Sequence, residues 1–397
     1  MNTIKNKVLV CGSDNLTSLG IIRELGSHNI PFTFLALGKC QVVTKSIYCK
    51  DIIQLKNLDD CLRYLKENYN RETYKPILIF SSDRLAHTLD NKQDEFSKKY
   101  ILPCTSIPGN LKYYINKFNM QTLAREIGIT CLDSKLLTKT SSIDDIEYPC
   151  FIKPCFETPG HYNEFKYKIC NNEKELRKVL KMVRAESKFV VQRLLKKDNE
   201  LVVYGCRMRD GKTIISGVMY QDRFSESGFA SHGYITNEIP SNIDIDKIKA
   251  FIETVDYYGP FDFEFGIENE NAYFIETNFR CVGPTGFFDK SGASVVAAYV
   301  YSCAGLDYTE ISTCVKTSNW CIDDMYDIEN VITRRISYKQ WKHDIKTANL
   351  LRYYDQYDSS SYIAEKQRRF IQILRNILLK RFRLYIVHFG EKLGLKK

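Results

Sequence analysis

The chain has 397 residues, 44% of them hydrophobic, which is enough for two or three domains around substantial cores. Its formal charge of +9 is concentrated at one end, because residues 364–397 carry ten Lys/Arg against only Glu365 and Glu391. The rest is nearly neutral, which argues against a broad nucleic-acid-binding surface. The fourteen cysteines form no CxxC and no Cys/His cluster, which argues against zinc and against a disulfide framework.

The opening MNTIKNKVLVCGSDN lacks an apolar h-region and a cleavage site, so a reduced, cytoplasmic setting is expected. Residues 7–37 read as strand, polar turn, helix ending near Gly26, and strand, a unit that implies a parallel sheet with a right-handed crossover. The turn has no GxGxxG, so a dinucleotide site is not supported. Residues 75–90 repeat the pattern, and Asp83 falls where open α/β sheets place ligands. The same residue would also suit a helix cap.

A helix is expected over 110–129, carrying Lys117 and ending at Gly128. YPCFIKPC (148–155) is an apolar run with Lys153 immediately before Pro154, followed by a polar hairpin or loop containing Gly160 and Lys166. An amphipathic helix over 172–187 leads into strand-like runs at 188–195, 201–208 and 212–220, suggesting a mostly antiparallel sheet. Arg223 and His232 lie in the polar stretch beyond, Arg223 as either a grip for a substrate carboxylate or a surface residue.

FDFEFGIENENAYFIETNFR (261–280) then reads as two adjacent strands joined by a polar turn. Alternation puts Glu276, Asn278 and Arg280 on one side, and Glu264 joins them if it lies opposite. Such a row can simply be the wet face of a hairpin. Two carboxylates and an amide oxygen also suit Mg²⁺, a hard cation that often shares its ligands with substrate phosphates. An arginine beside them suits a phosphate or carboxylate.

The ordered features VLVCGSDN, Lys117, FIKP, VVQRLL, Glu200, FDFEFG and FIETNFR resemble the ATP-grasp superfamily, and within it carboxylate–amine ligases of the D-aspartate ligase-like kind, over residues 5–310. The resemblance implies an α/β plus α+β protein. A Rossmann-like N-terminal domain over 1–110 would precede an ATP-grasp domain with antiparallel sheets over 111–310, with a C-terminal extension over 311–397. It implies that Lys117 and Lys153 hold nucleotide phosphates, and that the segment from Gly160 to Lys166 covers the triphosphate. Gln192 through Leu194 and Leu195 would line the adenine pocket, and Glu200 would bind the ribose. Glu264, Glu276 and Asn278 would ligate magnesium (or manganese), and Arg280 would stabilise the transferred phosphoryl group. Arg193 stands where the family usually has an acid, and the loop FETPGHYNEFK is poor in glycine.

The expected activity is amide formation from a small-molecule carboxylate and an amine, one of them an amino acid, through an acyl phosphate with release of ADP and phosphate. Alternatives are a ligase acting on a carboxylated sugar or cell-envelope precursor, a non-catalytic nucleotide-binding module, and a two-domain glycosyltransferase. The basic tail, 368–390, has apolar residues near helical spacing but includes Arg375, Lys380, Arg381 and Arg383. At about 2.5–3.5 kcal/mol each near a bilayer centre, these oppose a membrane span. Docking on the chain itself or on a second subunit, and peripheral contact of 364–397 with the inner face of a membrane, both fit this pattern. A homodimer is a further expectation.

Overall fold

In a computed structural model, residues 3–156, 165–225 and 228–372 are described. The N-terminal unit is a four-stranded parallel sheet in the order Asp51–Leu55, Phe32–Leu37, Val8–Gly12, Ile77–Phe80. Val8–Gly12 and Ile77–Phe80 are buried along their whole length, as expected of parallel strands covered on both faces. Helix Leu16–Ser27 starts at Asn15, whose side chain accepts the Ser18 N–H, and runs just past the expected Gly26. Helix Asp83–Asn91 is capped by Ser82, so Asp83 occupies the first turn and its carboxylate is free for another partner.

The large sheet runs Asn271–Asn278, Tyr257–Glu268, Asn199–Arg207, Thr213–Phe224, Ala230–Thr236, Asn319–Ile322, Leu350–Leu351, with Cys104–Thr105 paired to the start of Tyr257–Glu268. Its pairs are antiparallel except the last. A smaller antiparallel sheet, Lys135–Leu137, Phe189–Arg193, Cys150–Pro154, Lys168–Cys170, has its own core with helix Glu173–Met182. The three strand-like runs expected after residue 187 thus divide between two sheets.

Alternation decides which core each residue joins. Val202 and Tyr204 pack with Val8, Val10 and the fully buried helix Val295–Cys303. Leu201, Val203, Phe261 and Phe263 pack with Leu9, Cys11 and helix Ile245–Val255. The N-terminal sheet and the large sheet therefore share apolar clusters.

Two expectations need correcting. The helix expected over 110–129 is two helices, Asn110–Tyr114 and Lys117–Ile127, because the Asn116 side chain accepts the Phe118 and Asn119 N–H groups and starts a new one. The boundary expected at 310 does not isolate the C-terminal part, since Asn319–Ile322 pairs with Ala230–Thr236 inside the large sheet. The start of the basic segment, helical over 360–372, docks on the chain itself. Glu365 there is fully buried, and Arg368 pairs with Asp14 at 3.1 Å. The remainder of the tail lies outside the described residues. Among the described residues no helix is long and apolar enough to cross a membrane.

Candidate functional site

The hairpin Tyr257–Glu268 and Asn271–Asn278 turns through Asn269 and Glu270, both at positive φ, as a two-residue type I′ turn requires. The register sets Glu264 directly opposite Glu276 and Asp262 opposite Asn278, so the expected opposition of Glu264 holds. A bulge beside Glu264 leaves Ile275 unpaired in the ladder. Gln121 Nε2 donates to the Ile275 carbonyl at 2.7 Å, fastening helix Lys117–Ile127 to this strand.

That fastening brings in the lysines. The Lys117 N–H donates to the Cys155 carbonyl at 2.9 Å, joining the helix start to the end of strand Cys150–Pro154. Lys117 Nζ then lies 2.6 Å from Glu276 Oε2, and Lys153 Nζ 3.9 Å from the same oxygen. Two lysines 36 positions apart, on a helix and on the smaller sheet, meet one carboxylate of the large sheet.

On the other side, Asn278 Nδ2 donates to Asp262 Oδ1 at 2.9 Å and to Glu264 Oε1 at 3.2 Å. Arg280 Nη2 donates to Asn278 Oδ1 at 3.3 Å, and its Nε to Asp83 Oδ1 at 2.7 Å. Asp83 is thus neither the cap nor a free ligand group; it anchors Arg280 across from the N-terminal sheet. Asp262 was not singled out from the sequence. Its signal lay in FDFEFG, where it precedes Glu264 by two and therefore shares its face.

The charges are unevenly compensated. Burial pushes Asp262 up to about 7, only partly opposed by Arg280 and the Asn278 hydrogen bonds. Glu264 is pushed well above the carboxylate range by burial and by repulsion from Asp262 and Glu276. Burial also acts on Glu276, but Lys117 and Lys153 outweigh it and hold that carboxyl at about 2. Lys153 itself is lowered to about 8, chiefly by burial. Once ionised, Asp262 and Glu264 would therefore carry negative charge that no side chain neutralises fully.

That unmet charge fits a divalent cation, which favours oxygen donors and relieves carboxylate repulsion. Among the described residues no three His, Cys, Asp or Glu side chains form a ready metal cage. Where Mg²⁺ binds proteins it commonly keeps several waters and shares phosphate oxygens with its protein ligands. Glu264, Glu276 and the Asn278 amide are the residues that would hold it, with Asp262 behind them.

The segment expected to line an adenine pocket connects the two antiparallel sheets. Gln192 Nε2 donates to Ser134 Oγ at 2.9 Å, and the Leu194 N–H to the Pro149 carbonyl at 2.8 Å. Arg193 pairs with Glu268 at 2.6 Å, which accounts for a cation where the family usually has an acid. Leu195 crosses over Gly266, where a Cβ would crowd the side chains of Leu195 and Lys197 and make them shift. Glu200 opens strand Asn199–Arg207 and pairs with Lys197. Lys166 is exposed, while Gly160 and the adjoining part of the expected covering loop lie outside the described residues.

Arg223 is placed differently from the expectation of a carboxylate grip. Its guanidinium already grips Asp327 through Nε and Nη2 at 2.8 and 2.7 Å, and Nη1 lies 2.9 Å from Asp344. It fastens strand Thr213–Phe224 to the segment after Ile322. His232 bonds Asp222 at 2.7 Å and stacks on Trp320. Among the described residues neither has a hydrogen bond or ion pair to the acidic cluster.

No family model and no curated relative matches this chain. Solved structures do. The ADP complex of an N5-carboxyaminoimidazole ribonucleotide synthetase aligns with a TM-score of 0.62 at 14% identity, over 84% of this chain and 86% of its own. The ADP-bound N5-carboxyaminoimidazole synthetase from Staphylococcus aureus gives 0.61 at 14% identity, over 84% and 88%. An L-amino acid ligase from Bacillus licheniformis gives 0.59 at 11% identity, over 80% of each chain. A parallel N-terminal sheet, a small antiparallel sheet carrying Lys153 and a large, mostly antiparallel sheet carrying the acids together make this the ATP-grasp fold.

Proposed function

We propose that this chain is an ATP-dependent, ADP-forming carboxylate–amine ligase. The observation that carries this reading is the convergence of Lys117, Lys153, Asp262, Glu264, Glu276, Asn278 and Arg280 from separate elements into one cluster. Bound Mg-ATP supplies the phosphoryl group that turns an unreactive carboxylate into an acyl phosphate. Lys117 and Lys153 neutralise the nucleotide phosphates, leaving Glu276 to a cation. Arg280, oriented by Asp83 and Asn278, balances charge on the phosphoryl group in flight and on the acyl phosphate. Phosphoryl transfer depends mainly on such positioning and neutralisation. Gln192 to Leu195 and Glu200 are assigned to the adenosine moiety on the strength of the family resemblance. The amine, which we assign to an amino acid, then displaces phosphate.

The test is phosphate release from Mg-ATP with pools of amino acids and small carboxylates, comparing wild type with Glu276→Ala. Release that requires both an amino acid and Glu276 supports the ligase. Absence of ATP binding under all conditions would remove it.

A further inference from the structure

The helix over 360–372 has two unlike sides. A repeat of about 3.6 residues per turn puts Ser361, Glu365 and Arg368 on one side and Ile363, Gln367, Phe370 and Ile371 on the other. The first side is fastened to the chain. Ser361 and Glu365 are fully buried, Arg368 pairs with Asp14 at 3.1 Å, and the neighbouring Arg369 pairs with Glu329. The second side has nothing over it, since Ile363, Phe370 and Ile371 are 52%, 62% and 63% exposed. Lone exposed apolar side chains are ordinary, but three on one side of a docked helix make an uncovered stripe. At its flank Tyr362 stands edge-on to Tyr354 and donates its hydroxyl to Asp324 at 2.6 Å, with Lys366 Nζ 4.3 Å from its ring centre.

Charge decides what covers this stripe. The chain continues from it directly into residues 373–397, which hold seven Lys/Arg against Glu391 alone. In sequence the apolar spacing also continues, through Leu374, Ile377 and Leu378. A second copy meeting the same stripe would bring two such basic segments together, and like charges repel. A nucleic acid would use the charge, but Ile363 and Ile371 offer no ring on which a base could stack. An anionic lipid surface uses both features. Apolar side chains enter the boundary of the acyl chains while Lys and Arg lie among the headgroups. Tyrosine rings and a long-stemmed lysine beside them suit that same boundary.

We propose that the exposed side of helix 360–372, together with the basic residues that follow it, is a docking surface for an anionic membrane. The fastened side, through Glu365, Arg368 and Arg369, fixes that surface to the body of the protein. Neither feature holds the membrane alone: the stripe is only three side chains, and charge without insertion is weakened by salt.

The experiment is co-sedimentation of the full chain with vesicles of phosphatidylcholine, with and without phosphatidylglycerol. No ATP or divalent ion is present, so the result does not bear on the ligase reading. Wild type should pellet with the anionic vesicles and stay in solution with the neutral ones. Raising the ionic strength from about 0.1 M to about 1 M, which shortens screening from about 10 Å to about 3 Å, should weaken binding about tenfold or more. The double variant Phe370→Ser/Ile371→Ser should lose about tenfold or more at unchanged thermal unfolding. Ile363→Ser repeats the test from the other end of the stripe if the double variant fails to fold. The triple variant Lys380→Gln/Arg381→Gln/Arg383→Gln should lose the preference for anionic vesicles. Four outcomes would overturn the proposal: no binding to anionic vesicles, binding that survives the serine substitutions, tighter binding to an RNA oligonucleotide, or self-association of wild type that those substitutions abolish.

Discussion

Glu276→Gln isolates the hub of the candidate site. The change keeps the side chain's size and removes one negative charge, on which Lys117 sits at 2.6 Å and Lys153 at 3.9 Å. Removing one partner of a buried ion pair costs about 3–5 kcal/mol, and this partly buried pair belongs at the lower end of that range. Part of that returns, because Glu276 repels Asp262 and Glu264 on the same face, and one pKa unit of relief is worth about 1.4 kcal/mol. The net loss should be about 2–3 kcal/mol, read from urea unfolding at neutral pH. Nucleotide binding should respond in the opposite sense. With the lysines released, ATP binding without divalent ions should equal or exceed wild type, while stimulation by Mg²⁺ disappears and turnover falls about 10²–10³-fold. A stability change below about 0.5 kcal/mol together with intact Mg²⁺ stimulation would refute the reasoning, since the charges would then not be coupled as described.

Three further expectations follow from the same geometry. Because Asp262 is raised from 3.8 to about 7, the folded state holds an extra proton between those values, so stability is lost as pH rises through about 7; Asp262→Asn should flatten this decline, and parallel pH–stability curves for the two proteins would contradict it. Lys153 is lowered from 10.5 to about 8, so its folded form is the less protonated one above pH 8, and ATP binding there should take up protons, as calorimetry in buffers of different ionisation enthalpy will show. Arg223→Ala should cost about 3–5 kcal/mol of stability by stranding Asp327 and Asp344, with KM nearly unchanged in the molecules that remain folded; a raised KM at unchanged stability would return Arg223 to the substrate.

Periodicity in the sequence sufficed for the 261–280 hairpin, because strand alternation puts acids two apart on one face whatever surrounds them. It was also enough to set Lys153 apart, since a lone cation in an apolar strand needs a partner once buried. What it could not provide was Asp83 as the anchor of Arg280, 197 residues away, or Gln121 bonding the bulge at Ile275. Nor could it reveal that Asp327 and Asp344 occupy Arg223. An arginine in a polar loop reads the same whether its counter-charge is a ligand or a distant carboxylate. Which of these it meets depends on the path of the C-terminal segment back onto the large sheet, through the pairing of Asn319–Ile322 with Ala230–Thr236. The local pattern determined which side chains share a face, since that follows from backbone geometry alone. Tertiary packing decided which charges were already neutralised, because ion pairing depends on distances that only the folded chain sets.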